Sequence, residues 1–217
     1  MLKLKLKKNE LNIGTWITLS DPLIPEVLSP AGFDWMCIDI EHTSLSLDQV
    51  KQLIISIENQ NILPLVRVGE NNHNLIKRVM DIGSAGIIIP NINNYNEAKM
   101  AINAVKYPPK GQRGMGLYKA QSYGIKLKEY IKWNKKNSIV IIQIESQEAL
   151  DNIDDIFSLK EIDAFFVGPY DLSASMNIPG KFDDNKFKNA LNKILSSAHK
   201  NKITAGIHSV SSDYNEV

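Results

Sequence analysis

Phe33-Asp34-Trp35-Met36-Cys37-Ile38-Asp39-Ile40-Glu41-His42, "FDWMCIDIEH", begins as an apolar run and finishes on two carboxylates and an imidazole. A strand covered on both faces is apolar at consecutive positions, because neither face meets water. Its polar finish marks where the strand leaves the core. The same design recurs along the chain. Short β-rich runs fall at Thr15–Leu19, Trp35–Asp39, Leu63–Val68, Gly86–Ile89, Ile139–Ile144, Ala164–Val167 and Thr204–Ile207, and "IVIIQI" and "AGIIIP" are apolar without alternation. Between them lie segments of helical period: Leu47–Gln60, Asn72–Ile82, Tyr95–Val105, Leu127–Asn137, Gln147–Leu159 and Asn185–Lys200. In "NLIKRVMDIG", Leu75, Ile76, Val79 and Ile82 share one helical face and Gly83 supplies a stop. Such alternation predicts βα units on a parallel sheet.

Seven strands suit a doubly wound sheet or a (β/α)8 barrel lacking its eighth βα unit. The polar exceptions decide between them. They sit at the C-terminal ends of several strands, as in a barrel, whereas an open sheet gathers its ligands at one switch point. The chain shows no linker, repeat or low-complexity segment, so residues 1–217 read as a single α/β barrel domain. One long irregular connection, "YPPKGQRGMGLYKAQSYG" over 107–124, carries a Pro pair and four glycines and is a loop of the length that often serves function.

Bulk composition narrows the classes. The chain has 217 residues, 43% hydrophobic and 23% charged, with formal net charge +1, which argues for neither nucleic acid nor an anionic membrane as partner. No apolar stretch approaches the ~20 residues that span a bilayer, and the N-terminus lacks the apolar segment of a signal peptide. The run Lys3-Leu4-Lys5-Leu6-Lys7-Lys8 reads as an exposed first turn or solvated edge. The single cysteine, Cys37, reads as a small core residue in a cytoplasmic protein.

In a parallel barrel all strand ends meet at one face, which brings Asp39, Glu41, His42, Arg67, Gln143, Glu145 and Asp171 together. Glu145 and Asp171 end neighbouring strands; two such carboxylates repel unless a cation or proton intervenes, and a hard divalent ion suits them. Each alone reads more readily as a helix cap, and only jointly, at one barrel face, does the metal reading overtake that. Arg67 ends an apolar run and needs a partner: a salt bridge to Asp39 or Glu41, or an oxyanion that develops in a reaction. His42 beside Asp39 has an orienting partner, as a general base needs. Gln143 could satisfy a polar position inside the barrel. "GPYDLSAS" over 168–175 reads as a loop entering a short helix, whose free amides suit a carboxylate or phosphate.

The stretches "GTW", "AGFDWMCIDIEH", "PLVRV", "IKRVMDIGSAGIIIPNI", "YPPKGQRGMG", "IIQIES" and "FVGPYDLSASM" together resemble the metal-dependent, class II pyruvate aldolases of the HpcH/HpaI type. The resemblance implies a (β/α)8 barrel of the phosphoenolpyruvate/pyruvate type, in a homo-oligomer that is commonly a hexamer. It implies cleavage of a 4-hydroxy-2-oxoacid to pyruvate and an aldehyde. Glu145 and Asp171 would hold Mg²⁺, Mn²⁺ or Co²⁺, and Arg67 would stabilise the enolate. His42, oriented by Asp39, would move the proton. Gln143 would contact substrate, and the turn at Gly168 and Pro169, with the backbone of Ser173 and Ala174, would receive the carboxylate. Asp81 would reach a neighbouring subunit's site, and neither a Schiff-base lysine nor a nucleotide is needed. Two alternatives stand beside this: a citrate lyase β-like enzyme acting on a CoA thioester, for which Lys110 and Arg113 are the basic residues at hand, and a non-catalytic assembly subunit. Where many relatives carry an apolar residue after the last "GI", this chain has His208.

Overall fold

The computed structural model describes residues 2–8 and 10–208. Its centre is a seven-stranded, all-parallel sheet in sequential order: β1 (Gly14–Ile17), β2 (Trp35–Asp39), β3 (Leu63–Arg67), β4 (Gly86–Ile89), β5 (Ile139–Ile144), β6 (Ala164–Val167) and β7 (Thr204–Gly206). Around it run α1 (Leu2–Lys7), α2 (Ile24–Leu28), α3 (Leu47–Asn59), α4 (His73–Ile82), α5 (Tyr95–Val105), α6 (Leu127–Asn137), α7 (Gln147–Asp151), α8 (Ile153–Phe157), α9 (Pro169–Ser175) and α10 (Asn185–Asn201). The strand and helix runs read from periodicity are present with ends moved by a residue or two, except that the run 147–159 is divided.

Alternation along each strand divides the core in two. Met36 and Ile38 of β2, Val66 of β3 and Ile142 of β5 face outward and pack with the helices. Trp35, Cys37, Leu65, Ile88, Ile139, Ile141 and Phe166 face inward and form a second, inner cluster. Both clusters are buried, which is why the strands read as unbroken apolar runs. The inner face is strongly curled: Trp16 of β1 and Trp35 of β2 each lie 6.3 Å, ring centre to ring centre, from Phe166 of β6. The sheet is thus a partial barrel; β1 and β7 do not pair with each other among the described residues. Cys37 is fully buried, and burial pushes its thiol well above the ordinary range, so it is inert core.

Local sequence explains most helix ends. Ser46 opens α3 with a reciprocal capping box to Gln49, and the side chains of Asn72 and Asn94 cap α4 and α5. The segment 147–159 read as one helix is two, α7 and α8. Asn152 breaks it with φ −98° and ψ 11°, and its side-chain amide donates to the Asn93 carbonyl at 3.0 Å.

The N-terminal lysine run is not a solvated edge. Leu2 and Leu6, one turn apart on α1, are buried in the inner cluster, so α1 plugs the N-terminal end of the sheet. Lys3 is carried in with them. Its ammonium donates to the Ser138 carbonyl at 2.7 Å and to Asp163 Oδ2 at 3.0 Å. Lys106, only 3% exposed, donates to the same carbonyl at 2.7 Å and to Ser138 Oγ at 2.7 Å. Desolvation first, then the Lys3 charge, pull the Lys106 pKa down to about 7.

That shift makes stability depend on pH. Between about 7 and the ordinary lysine value of 10.5 the unfolded chain binds more protons than the folded one, so stability rises with pH through this window. Below about pH 7 both forms are protonated and the cost of the buried amine is fully present. Lys106→Met removes the titration. In urea unfolding at pH 7, 8 and 9, the wild type should gain on the variant by up to about 1.4 kcal/mol per pH unit; parallel stability profiles would contradict this assignment.

Candidate active site at the C-terminal strand ends

Residues 35, 37 and 39 of β2 point inward, and β3 pairs with it in a register that sets Asp39 beside Arg67. The two inward side chains meet in a forked pair, with Arg67 Nε donating to Asp39 Oδ1 at 2.9 Å and Nη2 to Oδ2 at 2.7 Å. The guanidinium lies 4.6 Å from the centre of the Trp16 indole on β1. Its remaining edge reaches across the mouth, where Nη1 donates to Gln143 Oε1 at 3.4 Å. Gln143 Nε2 in turn donates to Glu145 Oε2 at 2.8 Å. Glu145 Oε1 accepts from the backbone N–H of Asn91 at 2.7 Å. One polar chain therefore crosses the mouth from β2 through β3 and β5 to the loop after β4.

Glu145 is buried, and Gly168 gives it room. A Cβ on Gly168 would lie 2.7 Å from Glu145 Oε2 and 2.9 Å from its Cβ. Gly168 also caps α9, with Pro169 at its first position and Asp171, exposed, in its first turn. Helical geometry corrects the expected carboxylate receptor: Ser173 and Ala174 lie inside α9, where amides belong to the helical ladder. The amides without a ladder partner are those of Tyr170 and Asp171. The Ser173 hydroxyl is buried and internally used, donating to the Tyr170 carbonyl at 2.9 Å and accepting from Gly180 N at 3.0 Å.

The charges do not balance. Burial works to raise the Asp39 pKa, but the Arg67 hydrogen bonds and charge outweigh it and hold the carboxyl below its usual range. Glu41 goes the other way. Burial raises it, the Glu145 and Asp39 charges add to that, and Arg67 offsets only part. Glu41 Oε2 lies 3.2 Å from Arg67 Nε, yet it is buried without a hydrogen bond. One guanidinium thus faces Asp39 and Glu41 directly and Glu145 through Gln143, while Asp171 follows the exit of the next strand. Surplus negative charge of this kind fits a divalent cation. No cluster of three or more His, Cys, Asp or Glu side chains suited to an ion exists among the described residues. A cation here would have few protein ligands and complete its shell with water or substrate oxygens.

The expected Asp39–His42 pair is not formed. Both Asp39 oxygens are taken by Arg67, because a desolvated guanidinium needs a carboxylate more than an exposed imidazole does. His42 is 68% exposed, and its nearest carboxylate is Glu41, with Nε2 3.7 Å from Oε2.

Asp81 lies elsewhere. Helix α4 runs back from the strand ends, so its C-terminal Asp81 sits at the opposite end of the barrel from Arg67. There it accepts a hydrogen bond from the buried guanidinium of Arg113 and another from Gln121 Nε2 at 3.1 Å. Arg113 also lies 4.7 and 5.3 Å from the Tyr107 and Tyr130 ring centres. This cluster anchors the 107–124 loop. Arg113, 1% exposed, is therefore not available to a nucleotide's phosphates. Sequence alone signals no role for two residues at the mouth: Trp16, visible only as part of "GTW", and Asn91. The latter's signal is slight, an asparagine at φ 54° after an apolar strand, a backbone region that asparagine tolerates better than most.

A parallel α/β partial barrel with an acidic mouth around one fixed arginine defines an enzyme of barrel type. The family model for HpcH/HpaI aldolase/citrate lyase matches residues 12–217, so the chain belongs to that family and is a lyase of aldolase type. The chain is 34% identical over 206 residues to the 5-keto-4-deoxy-D-glucarate aldolase of Escherichia coli (strain K12), covering 94% of this chain and 80% of that protein. The crystal structure of an HpcH/HpaI aldolase from Desulfitobacterium hafniense DCB-2 matches with a TM-score of 0.90 and 26% identity, over 100% of this chain and 84% of that one. The citrate synthase SbnG matches with a TM-score of 0.87 and 26% identity, over 97% and 82%.

Removing the arginine head isolates its electrostatic role. Arg67→Met leaves Asp39 buried without a cation and should cost about 3 kcal/mol in urea unfolding at pH 7. The wild-type advantage from Asp39 is present above the ordinary carboxylate value of 3.8 and is lost as pH falls through the lower folded value. The gap between the two proteins should accordingly close in acid. A gap that stays constant from pH 7 to pH 3 would show that it comes from packing on Trp16.

Proposed function

We propose that this chain is a metal-dependent class II aldolase that cleaves a 4-hydroxy-2-oxoacid to pyruvate and an aldehyde at the mouth formed by Arg67, Gln143, Glu145 and Asp171. The single observation that carries the reading is the Asp39-locked Arg67 guanidinium aimed across the mouth at Gln143 and Glu145. Glu145 and Asp171 are the residues that would hold a Mg²⁺, Mn²⁺ or Co²⁺ ion, which supplies Lewis acidity towards the keto and carboxylate oxygens of the 2-oxoacid.

The chain's own groups divide the rest of the work. Asp39 and Trp16 fix Arg67 before substrate arrives, so its N–H groups face the enolate oxygen without reorganisation as charge develops there. Gln143 offers its amide to the bound oxoacid once it turns from Glu145. The free amides of Tyr170 and Asp171 at the start of α9, shaped by Gly168 and Pro169, receive the carboxylate. His42 Nε2 takes the proton of the C4 hydroxyl as the C3–C4 bond breaks, and Glu41 stabilises the resulting imidazolium. After cleavage the imidazolium returns that proton to C3 of the enolate, giving pyruvate.

The proposed route uses no Schiff-base lysine. Lys106, the amine with the lowered pKa, is buried at the opposite end of the barrel against Ser138. Family resemblance implies a homo-oligomer. Met115, Leu117, Tyr123 and Ile125 stand 58–86% exposed on the loop anchored by Arg113, an apolar surface suited to a second copy. In that assembly Asp81 would lie towards a neighbour's mouth. A cytoplasmic setting suits the free buried thiol, and no described helix is long and apolar enough to cross a membrane. The likeness to the citrate synthase SbnG supports a second reading, condensation of an enolate with an oxoacid.

Pyruvate release coupled to lactate dehydrogenase tests the proposal. Turnover of 4-hydroxy-2-oxoacids should need Mg²⁺ or Mn²⁺ and stop with EDTA. Glu145→Ala should abolish it, and Arg67→Ala should lower kcat by about 100- to 1,000-fold, the worth of a fixed oxyanion donor. Turnover that ignores EDTA or survives Glu145→Ala would overturn the metal reading. A folded protein releasing no pyruvate while condensing it with oxoacids would favour the second.

A further inference from the structure

One polar side chain at the mouth has no task in the chemistry above. His208 follows β7, and its ring lies 5.3 Å from the Trp16 indole with a 40° tilt. The same indole carries the Arg67 guanidinium 4.6 Å from its centre. His208 is thus one aromatic ring away from the group that faces the enolate oxygen. Neither imidazole nitrogen has a hydrogen-bond partner among the described residues.

Depth separates His208 from the groups that hold the pyruvate half. Gln143 and Glu145 are buried, 6% and 7% exposed, whereas His208 stands exposed at the rim. A substrate whose oxoacid end reaches Glu145 extends its other end outward past this rim. The charged groups facing His208 are Arg67 and Asp39. Partial burial, then Arg67, hold the imidazole below its ordinary 6.5 against the pull of Asp39, so the ring is uncharged at neutral pH. An uncharged imidazole presents one donor and one acceptor. A hydroxyl group presents the same pair and can satisfy both nitrogens in turn. A carboxylate only accepts and so uses the N–H alone, while an alkyl group matches neither.

We propose that His208 is a specificity-determining residue that hydrogen-bonds a hydroxyl on the aldehyde-derived half of the substrate, so that the site selects hydroxylated over alkyl aldehydes. This deepens the pyruvate-aldolase reading and rests on it.

The reverse reaction tests it directly. Pyruvate is condensed with glycolaldehyde or with propanal, which have the same number of heavy atoms and differ by a hydroxyl in place of a methyl. In His208→Leu the ratio of kcat/KM for glycolaldehyde over propanal should fall by about 3- to 10-fold, the worth of one net hydrogen bond. The KM for pyruvate should stay within about twofold of the wild type, because this residue does not touch the oxoacid end. His208→Gln keeps a donor and an acceptor and should retain most of the preference. An unchanged ratio in His208→Leu overturns the role of His208 alone. An equal fall in His208→Gln also overturns it, since that is the mark of a disturbed Trp16. Failure of the wild type to condense pyruvate with either aldehyde overturns the aldolase reading and the role of His208 with it.

Discussion

A guanidinium that ends a buried strand must find a carboxylate before the strand can settle, and the forked Arg67–Asp39 pair across β2 and β3 meets that demand. The rest of the mouth follows from it. With both Asp39 oxygens committed, Glu41 has only a lateral approach to Arg67, and His42 is left to Glu41. The far edge of Arg67 orients Gln143, and Gln143 orients Glu145. Preorganisation of this kind costs stability, since the Glu145 and Asp39 charges work against an ionised Glu41. Such local frustration is what a binding site needs and a core does not.

The two ends of the barrel treat buried charge differently. At the mouth, carboxylates outnumber the one fixed guanidinium, Arg67. At the N-terminal end, amine is in excess: Lys3 and Lys106 share the Ser138 carbonyl, with Asp163 as the carboxylate at hand. Here the solution is structural, because α1 covers the inner cluster and one amine loses its charge near neutral pH. The long 107–124 loop is likewise held by a buried cation, Arg113, against Asp81 and two tyrosine rings. A length that suggested chemistry thus serves first to fasten the loop, and the apolar tip it presents suits an interface.

Much of the fold was legible because burial on both faces leaves an unmistakable mark. Consecutive apolar residues in "WMCI" and "IVIIQI" separate parallel strands from amphipathic helices, and Gly83 ends α4 where expected. The break at Asn152 was not legible, since its cause is a hydrogen bond to Asn93, distant in sequence. Nor was the burial of α1, because its Leu–Lys alternation looks solvated until a sheet end needs a cover. At the site, the polar strand ends mark Asp39, Arg67, Gln143 and Glu145 as neighbours, yet not which of them pair.

By itself the sequence determined that these strands are parallel, that their polar ends converge, and that Asp39, Arg67, Gln143, Glu145 and Asp171 share one face. Periodicity and chain direction suffice for that. Only the tertiary structure decided the partners: Arg67 with Asp39, Glu41 with His42, Gly168 beneath Glu145, and the free amides at Tyr170 and Asp171. The register between β2 and β3 sets one pair, the curl of the sheet brings Trp16 and His208 together, and the helical ladder of α9 chooses the amides. These are distances between elements far apart in sequence, and no local pattern encodes them.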